Sequence, residues 1–177
     1  NFTAAEVDYY YYSALNSISQ SQYSSYFGLS SSTSLKNQNL NAMAKMLLGV
    51  TDEGDISWDE YLKGLAKENL AQSYLLSEKA KAEGAAVHED EVQTALDQIA
   101  SYAKTNGLSV SGYLKRVYGS NMTVDTFKKL FQMDDLASHY TQDYTNSLSY
   151  TDEELEACYE ADKNAFDVAD YEYISFK

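Results

Sequence analysis

The 177-residue chain has no proline, one cysteine, two histidines and only 13 basic residues against 27 acidic ones. Each shortage excludes something. Average proline usage is about 5%, and a chain without it is free to form long uninterrupted helices. The lone cysteine, Cys158, rules out an internal disulfide. It has no histidine beside it and several acidic neighbours, so it lacks the setting of an activated thiol and reads as a small, semi-buried helix residue. The shortage of basic residues leaves a net charge of -14. Such a surface repels phosphate backbones and anionic headgroups, which excludes nucleic acid as a partner. No run approaches the roughly 20 apolar residues of a spanning helix, so this chain is not expected to insert into a membrane. No basic-plus-apolar leader opens it, and Asn1 in place of Met implies a processed or trimmed start.

What the chain does have is tyrosine, 17 of them, within an apolar fraction of 44%. Tyrosine offers a large rigid surface with a polar tip, the chemistry of adaptable binding faces. At this length one domain is expected, or two small ones.

The spacing of apolar residues predicts helices almost throughout. Thr3 and Glu6 form a capping-box pattern for a first helix running to about Phe27. Phe2, Ala5, Tyr9, Tyr12, Leu15, Ile18, Tyr23 and Tyr26 make its stripe, with Tyr10 and Tyr11 projecting from the sides and Gly28 as a stop. A serine-rich loop follows over 29–36, then a short helix over 37–48 and an acidic loop over 49–55. Ser57 and Glu60 repeat the capping box for a long helix closing at Gly84. At about 40 Å that helix is too long to lie buried in one compact bundle and reads as a spine. Trp58, Tyr61, Leu62, Leu65, Leu70, Tyr74, Leu75 and Ala82 are its apolar positions. Shorter helices are expected over 88–105, 109–118, a stretch of about 25 residues capped by Thr123, and a last one capped by Thr151 with Glu154.

The final residues change character. Tyr171, Tyr173 and Ser175 alternate with Glu172, Ile174 and Phe176, which is the pattern of a strand. A lone strand leaves its backbone groups unpaired, so this one points to a following domain. The expected organisation is an elongated all-α, multi-helix module over 1–168 (first helix 1–28, spine 57–84, shorter helices 88–166), then a strand over 169–177.

Several tempting sites lack support. His88 and His139 stand far apart in sequence without metal-ligand spacing and read as solvated helix-surface residues. Asp52, Glu53, Asp55, Asp59 and Glu60 resemble a calcium loop, but Gly54 and the spacing miss the EF-hand pattern. Asp152, Glu153 and Glu154 favour a helix macrodipole. Asn1-Phe-Thr3 and Asn121-Met-Thr123 fit the glycosylation sequon, yet both threonines serve as caps. No cofactor or metal motif is present.

From Ser57 onward the order of elements resembles the N-terminal chaperone region of the SurA and PrsA foldases. Lys79-Ala-Lys-Ala-Glu-Gly84 matches the end of that family's long helix, and Val87-His-Glu-Asp-Glu-Val92 matches the next helix start. Gly107-Leu-Ser-Val-Ser-Gly-Tyr-Leu114 and Gly119-Ser-Asn-Met-Thr-Val-Asp-Thr-Phe127 follow in the same order. The most specific stretch, Tyr150 to Phe166, resembles the helix that precedes a parvulin-type prolyl isomerase domain, with Cys158 where a second aromatic is common. The aromatic run Asp8-Tyr-Tyr-Tyr-Tyr12 looks similar to the first helix of many such proteins from Gram-positive bacteria. The strand that often precedes that helix is absent.

The resemblance covers about two thirds of the chain. It implies a module that holds unfolded or extended exported polypeptides outside the cytoplasmic membrane, anchored through a segment this chain lacks. Catalysis would belong to a downstream parvulin domain, and no catalytic residue is assigned here. Tyr10, Tyr11, Tyr23, Tyr26 and Phe27 are the expected client-facing residues, although each could instead pack against other helices of the chain. The alternative reading is an extracellular helical module that binds a ligand or plays a structural part without any chaperone role.

Overall fold

The computed structural model describes residues 2–166. Among them regular structure is all helical: α1 (Ala4–Gln20), α2 (Ala42–Leu47), α3 (Trp58–Ala82), α4 (Glu89–Thr105), α5 (Val110–Tyr118), α6 (Val124–Ser147), α7 (Asp152–Ala161) and α8 (Lys163–Phe166). The strand expected at 171–176 lies outside the described residues. The chain divides into two compact units between Gln142 and Asp143.

Capping chemistry starts the main helices. Thr3, Ser57 and Thr151 each accept a hydrogen bond from the backbone of the third helical residue, whose glutamate reaches back, so the box closes at α1, α3 and α7. These reciprocal bonds satisfy donors that a helix start otherwise leaves orphaned.

The first helix is shorter than its spacing predicts. It ends at Gln20, and a 3-10 turn at Ser24–Tyr26 follows. The run Ser17-Ile-Ser-Gln-Ser is a weak continuation, because serine and β-branched isoleucine have low helix propensity. Phe27 then packs 6.0 Å from Trp58, ring edge to face. The helix expected over 37–48 is likewise cut to Ala42–Leu47. Residues just before it are extended instead, with an isolated antiparallel bridge between Asn39 and Ser57. Gln38 also holds the serine loop, accepting from the Ser30 N–H at 2.8 Å and donating to the Ser30 carbonyl at 2.9 Å.

The first unit has two cores, and α3 serves both. Trp58 and Leu62 join Ile18, Phe27, Leu40 and Ala44 in one. Ala66 and Leu70 join Tyr9, Tyr10, Leu114, Met122, Phe127 and Leu130 in the other. The second is aromatic: Tyr9 lies 5.1 Å from both Tyr10 and Tyr118 and 6.1 Å from Phe127. Gly119, at φ +95°, is where the end of α5 meets α1; a Cβ there would stand 3.1 Å from the Tyr12 ring. In the second unit α7 has no buried residue, and Cys158, expected to be semi-buried, is exposed.

The acidic loop that resembles a cation site already holds a cation. The Lys45 ammonium donates to the backbone carbonyls of Asp52 and Gly54, and the Asp52 carboxylate accepts from the Gly54 N–H at 2.8 Å.

Candidate functional site

The five residues expected to face a client part company. Tyr10 and Phe27 are only 7% and 3% exposed, as members of the two cores. Two faces of α1 are covered, one by α3 and one by α5, so Tyr9 and its neighbour Tyr10 are both buried. The Tyr10 hydroxyl donates to the Asp134 carboxylate. That carboxyl is itself pushed above its usual range, because burial outweighs the hydroxyl hydrogen bonds it accepts. Tyr11 is half-buried and donates to Asp59 Oδ1 at 3.2 Å. Tyr23 and Tyr26 are 45% and 56% exposed. They flank Ser24 and Ser25, which line an open hollow of about 660 Å³ between the end of α1 and the serine loop.

A better-formed groove lies elsewhere in the first unit. It has a volume of about 420 Å³ and is walled by one face of α3 and one face of α6. Leu70, Tyr74, Ser77, Glu78 and Lys81 follow helical spacing on α3, and Lys129, Gln132, Met133 and Leu136 do so on α6. The floor is apolar and deep, since Leu70, Leu130 and Leu136 are 1%, 1% and 3% exposed. Over it stand two exposed aromatics, Phe2 and Tyr74, with ring centroids 5.8 Å apart at 78°.

The rim is charged. Lys129 Nζ meets Glu6 Oε1 at 3.0 Å, and Lys81 Nζ meets Glu78 Oε1 at 2.8 Å. Burial pulls the Glu6 carboxyl upward, but hydrogen bonds from Thr3 and Lys129 outweigh it and hold it below the usual range. An apolar trough with exposed aromatics and a rim of both signs suits segments of varied sequence: aromatic surface supplies contact, and polar edges meet backbone groups directly or through water.

Phe2 falls on the apolar spacing expected for the first helix, and Tyr74 and Leu75 on that of the long helix. The structure leaves them 46%, 45% and 67% exposed. Periodicity reports which residues share a face, not whether a neighbour covers it.

The two histidines behave in the opposite way. His88, at the entry to α4, and His139, on α6, are brought together with ring centroids 3.8 Å apart. The signal available in the sequence was Asp135 and His139, spaced i, i+4 on one helix face. No protein-family model matches the chain, and no curated protein or solved structure does either.

Proposed function

We propose that this chain is a polypeptide-holding module of the SurA/PrsA foldase kind, which binds unfolded or extended segments of exported proteins weakly and without sequence stringency. The observation that carries the reading is the groove between α3 and α6, with fully buried leucines below and the exposed Phe2 and Tyr74 above. The order of helices and motifs from Ser57 to Phe166 supports it. The net charge of -14 suits a holder, because it limits self-association while apolar surface is displayed. The exposed Tyr23 and Tyr26 extend the contact surface beyond the groove. The reading assigns no catalytic residue to this chain and places its work outside the cytoplasmic membrane.

The test is suppression of aggregation of a chemically denatured reporter at near-stoichiometric chain, alongside titration of a fluorescent unfolded peptide. Suppression is expected. The double variant F2S/Y74S should weaken peptide binding about tenfold, in line with loss of two aromatic contacts of about 0.5–1.5 kcal/mol each, and Y23S/Y26S should weaken it less. A chain that neither slows aggregation nor binds peptide would be the non-chaperone helical module instead.

A further inference from the structure

We infer that His88, Asp135 and His139 form a binding site for a divalent transition-metal ion, with zinc the best fit. Each of the three offers one ligand atom, and those atoms all lie within 4.8 Å of one another. His88 Nδ1 is 3.2 Å from Asp135 Oδ2, and His139 Nε2 is 3.6 Å from Asp135 Oδ1. Tetrahedral zinc with bonds of about 2.05 Å holds its ligands about 3.3 Å apart. The two contacts use different carboxylate oxygens, so a metal held on one of them would draw in donor atoms that already lie within 4.8 Å of one another.

The second observation is an orphaned acceptor. The Asp135 side chain is only 1% exposed, and its Oδ1 has no hydrogen-bond partner. Its other oxygen accepts from the His88 backbone N–H at 3.0 Å, which fixes the carboxylate with Oδ1 turned toward His139. Among the described residues no lysine or arginine stands within ion-pair distance of it. A buried carboxylate oxygen without a partner carries a desolvation cost that native structures ordinarily avoid. A cation between the carboxylate and the two imidazoles removes that cost.

The donor set selects the ion. Two imidazoles disfavour calcium and magnesium, which prefer oxygen, and suit zinc, copper, nickel or cobalt. The histidine side chains are 45% and 38% exposed, so the carboxylate is buried while an entry path stays open. His139 Nε2 also lies 3.2 Å from Glu91 Oε1, a contact the ion would displace, and water would complete a tetrahedral shell. The bound ion would tie the entry of α4 to the middle of α6. Nothing in this assignment depends on the polypeptide-holding reading.

The experiment is a titration of the untagged, chelator-stripped chain with zinc chloride by calorimetry, and with cobalt(II) by visible absorption. One metal per chain is expected, with the absorption of tetrahedral cobalt and a rise in the midpoint of thermal unfolding. H139Q and H88Q should each weaken binding at least tenfold and abolish that rise. Both side chains are partly exposed, so the variants should retain the helical circular dichroism of the parent. D135N should weaken binding as well, and if it fails to fold, the histidine variants decide. The assignment is overturned if zinc binds more weakly than about millimolar, or if the H88Q/H139Q chain binds it as tightly as the parent.

Discussion

Helices α3 and α7 begin with the same chemistry. Ser57 with Glu60 and Thr151 with Glu154 close identical capping boxes, and each helix carries apolar residues at helical spacing. Yet α3 buries Trp58, Leu62, Ala66 and Leu70, whereas α7 buries nothing and leaves Leu155 and Tyr159 54% and 39% exposed. A cap satisfies backbone donors locally and needs only the next turn. Burial needs neighbours, and most helical stability in proteins comes from the packed face. The two helices separate these contributions within one chain.

The largest difference should appear on removing a leucine from each. Leu62 is fully buried, so Leu62→Ala should lower unfolding free energy by about 2–5 kcal/mol. Leu155→Ala should stay within about 0.5 kcal/mol, as exposed substitutions do. Urea denaturation followed by circular dichroism reads both. Equal losses would mean that Leu155 is buried in solution and would end the contrast.

Caps come next. Ser57→Ala should cost about 1 kcal/mol of global stability, because α3 is part of both cores of the first unit. Thr151→Ala removes the same bond from a ten-residue helix that is too short to persist on its own caps alone. Faster amide exchange over 152–155 is therefore expected, with no movement of the main unfolding transition. A shift of that transition on Thr151→Ala as large as on Ser57→Ala would show α7 to be part of the cooperative core.

Local features of this kind were legible in the sequence. Thr3, Ser57 and Thr151 cap where serine and threonine precede apolar periodicity, and the starts of α1, α3 and α7 follow from them, whereas the break at Asp162 between α7 and α8 does not. What failed was the choice of covered face. The stripe through Phe2, Tyr9 and Tyr26 treats α1 as having one covered face, but α3 and α5 both pack on it and Tyr10 turns inward, while Phe2 and Tyr26 lie beyond its ends and stay exposed. The groove went unseen because Tyr74 and Leu130 meet only once α3 and α6 are placed. His88 and His139 stayed apart for the same reason: only half of their cluster, Asp135 and His139, lies within one helix. Sequence separation conceals a site whose geometry is tertiary.

The smallest effect concerns surface charge. On α3, Lys63 Nζ meets Asp59 Oδ2 at 2.7 Å, an i, i+4 pair, and the Lys63 hydrogen bond is the main reason the Asp59 carboxyl lies below its ordinary value of 3.8. A depressed carboxyl adds stability above its unfolded value and loses it as pH falls through the folded one. Lys63→Met should therefore cost about 0.3–0.5 kcal/mol at neutral pH, and its gap from the parent should close as pH drops below about 3.8 toward the folded value. The corresponding pair at the end of α7, Glu160 Oε1 and Lys163 Nζ of α8 at 2.8 Å, joins side chains that are 56% and 47% exposed. Lys163→Met should leave the main transition unmoved, since α7 buries no residue of its own through which the loss could be transmitted. A pH-dependent shift on Lys163→Met equal to that on Lys63→Met would make the two surfaces energetically alike, and the distinction between α3 and α7 would then rest on the leucines alone.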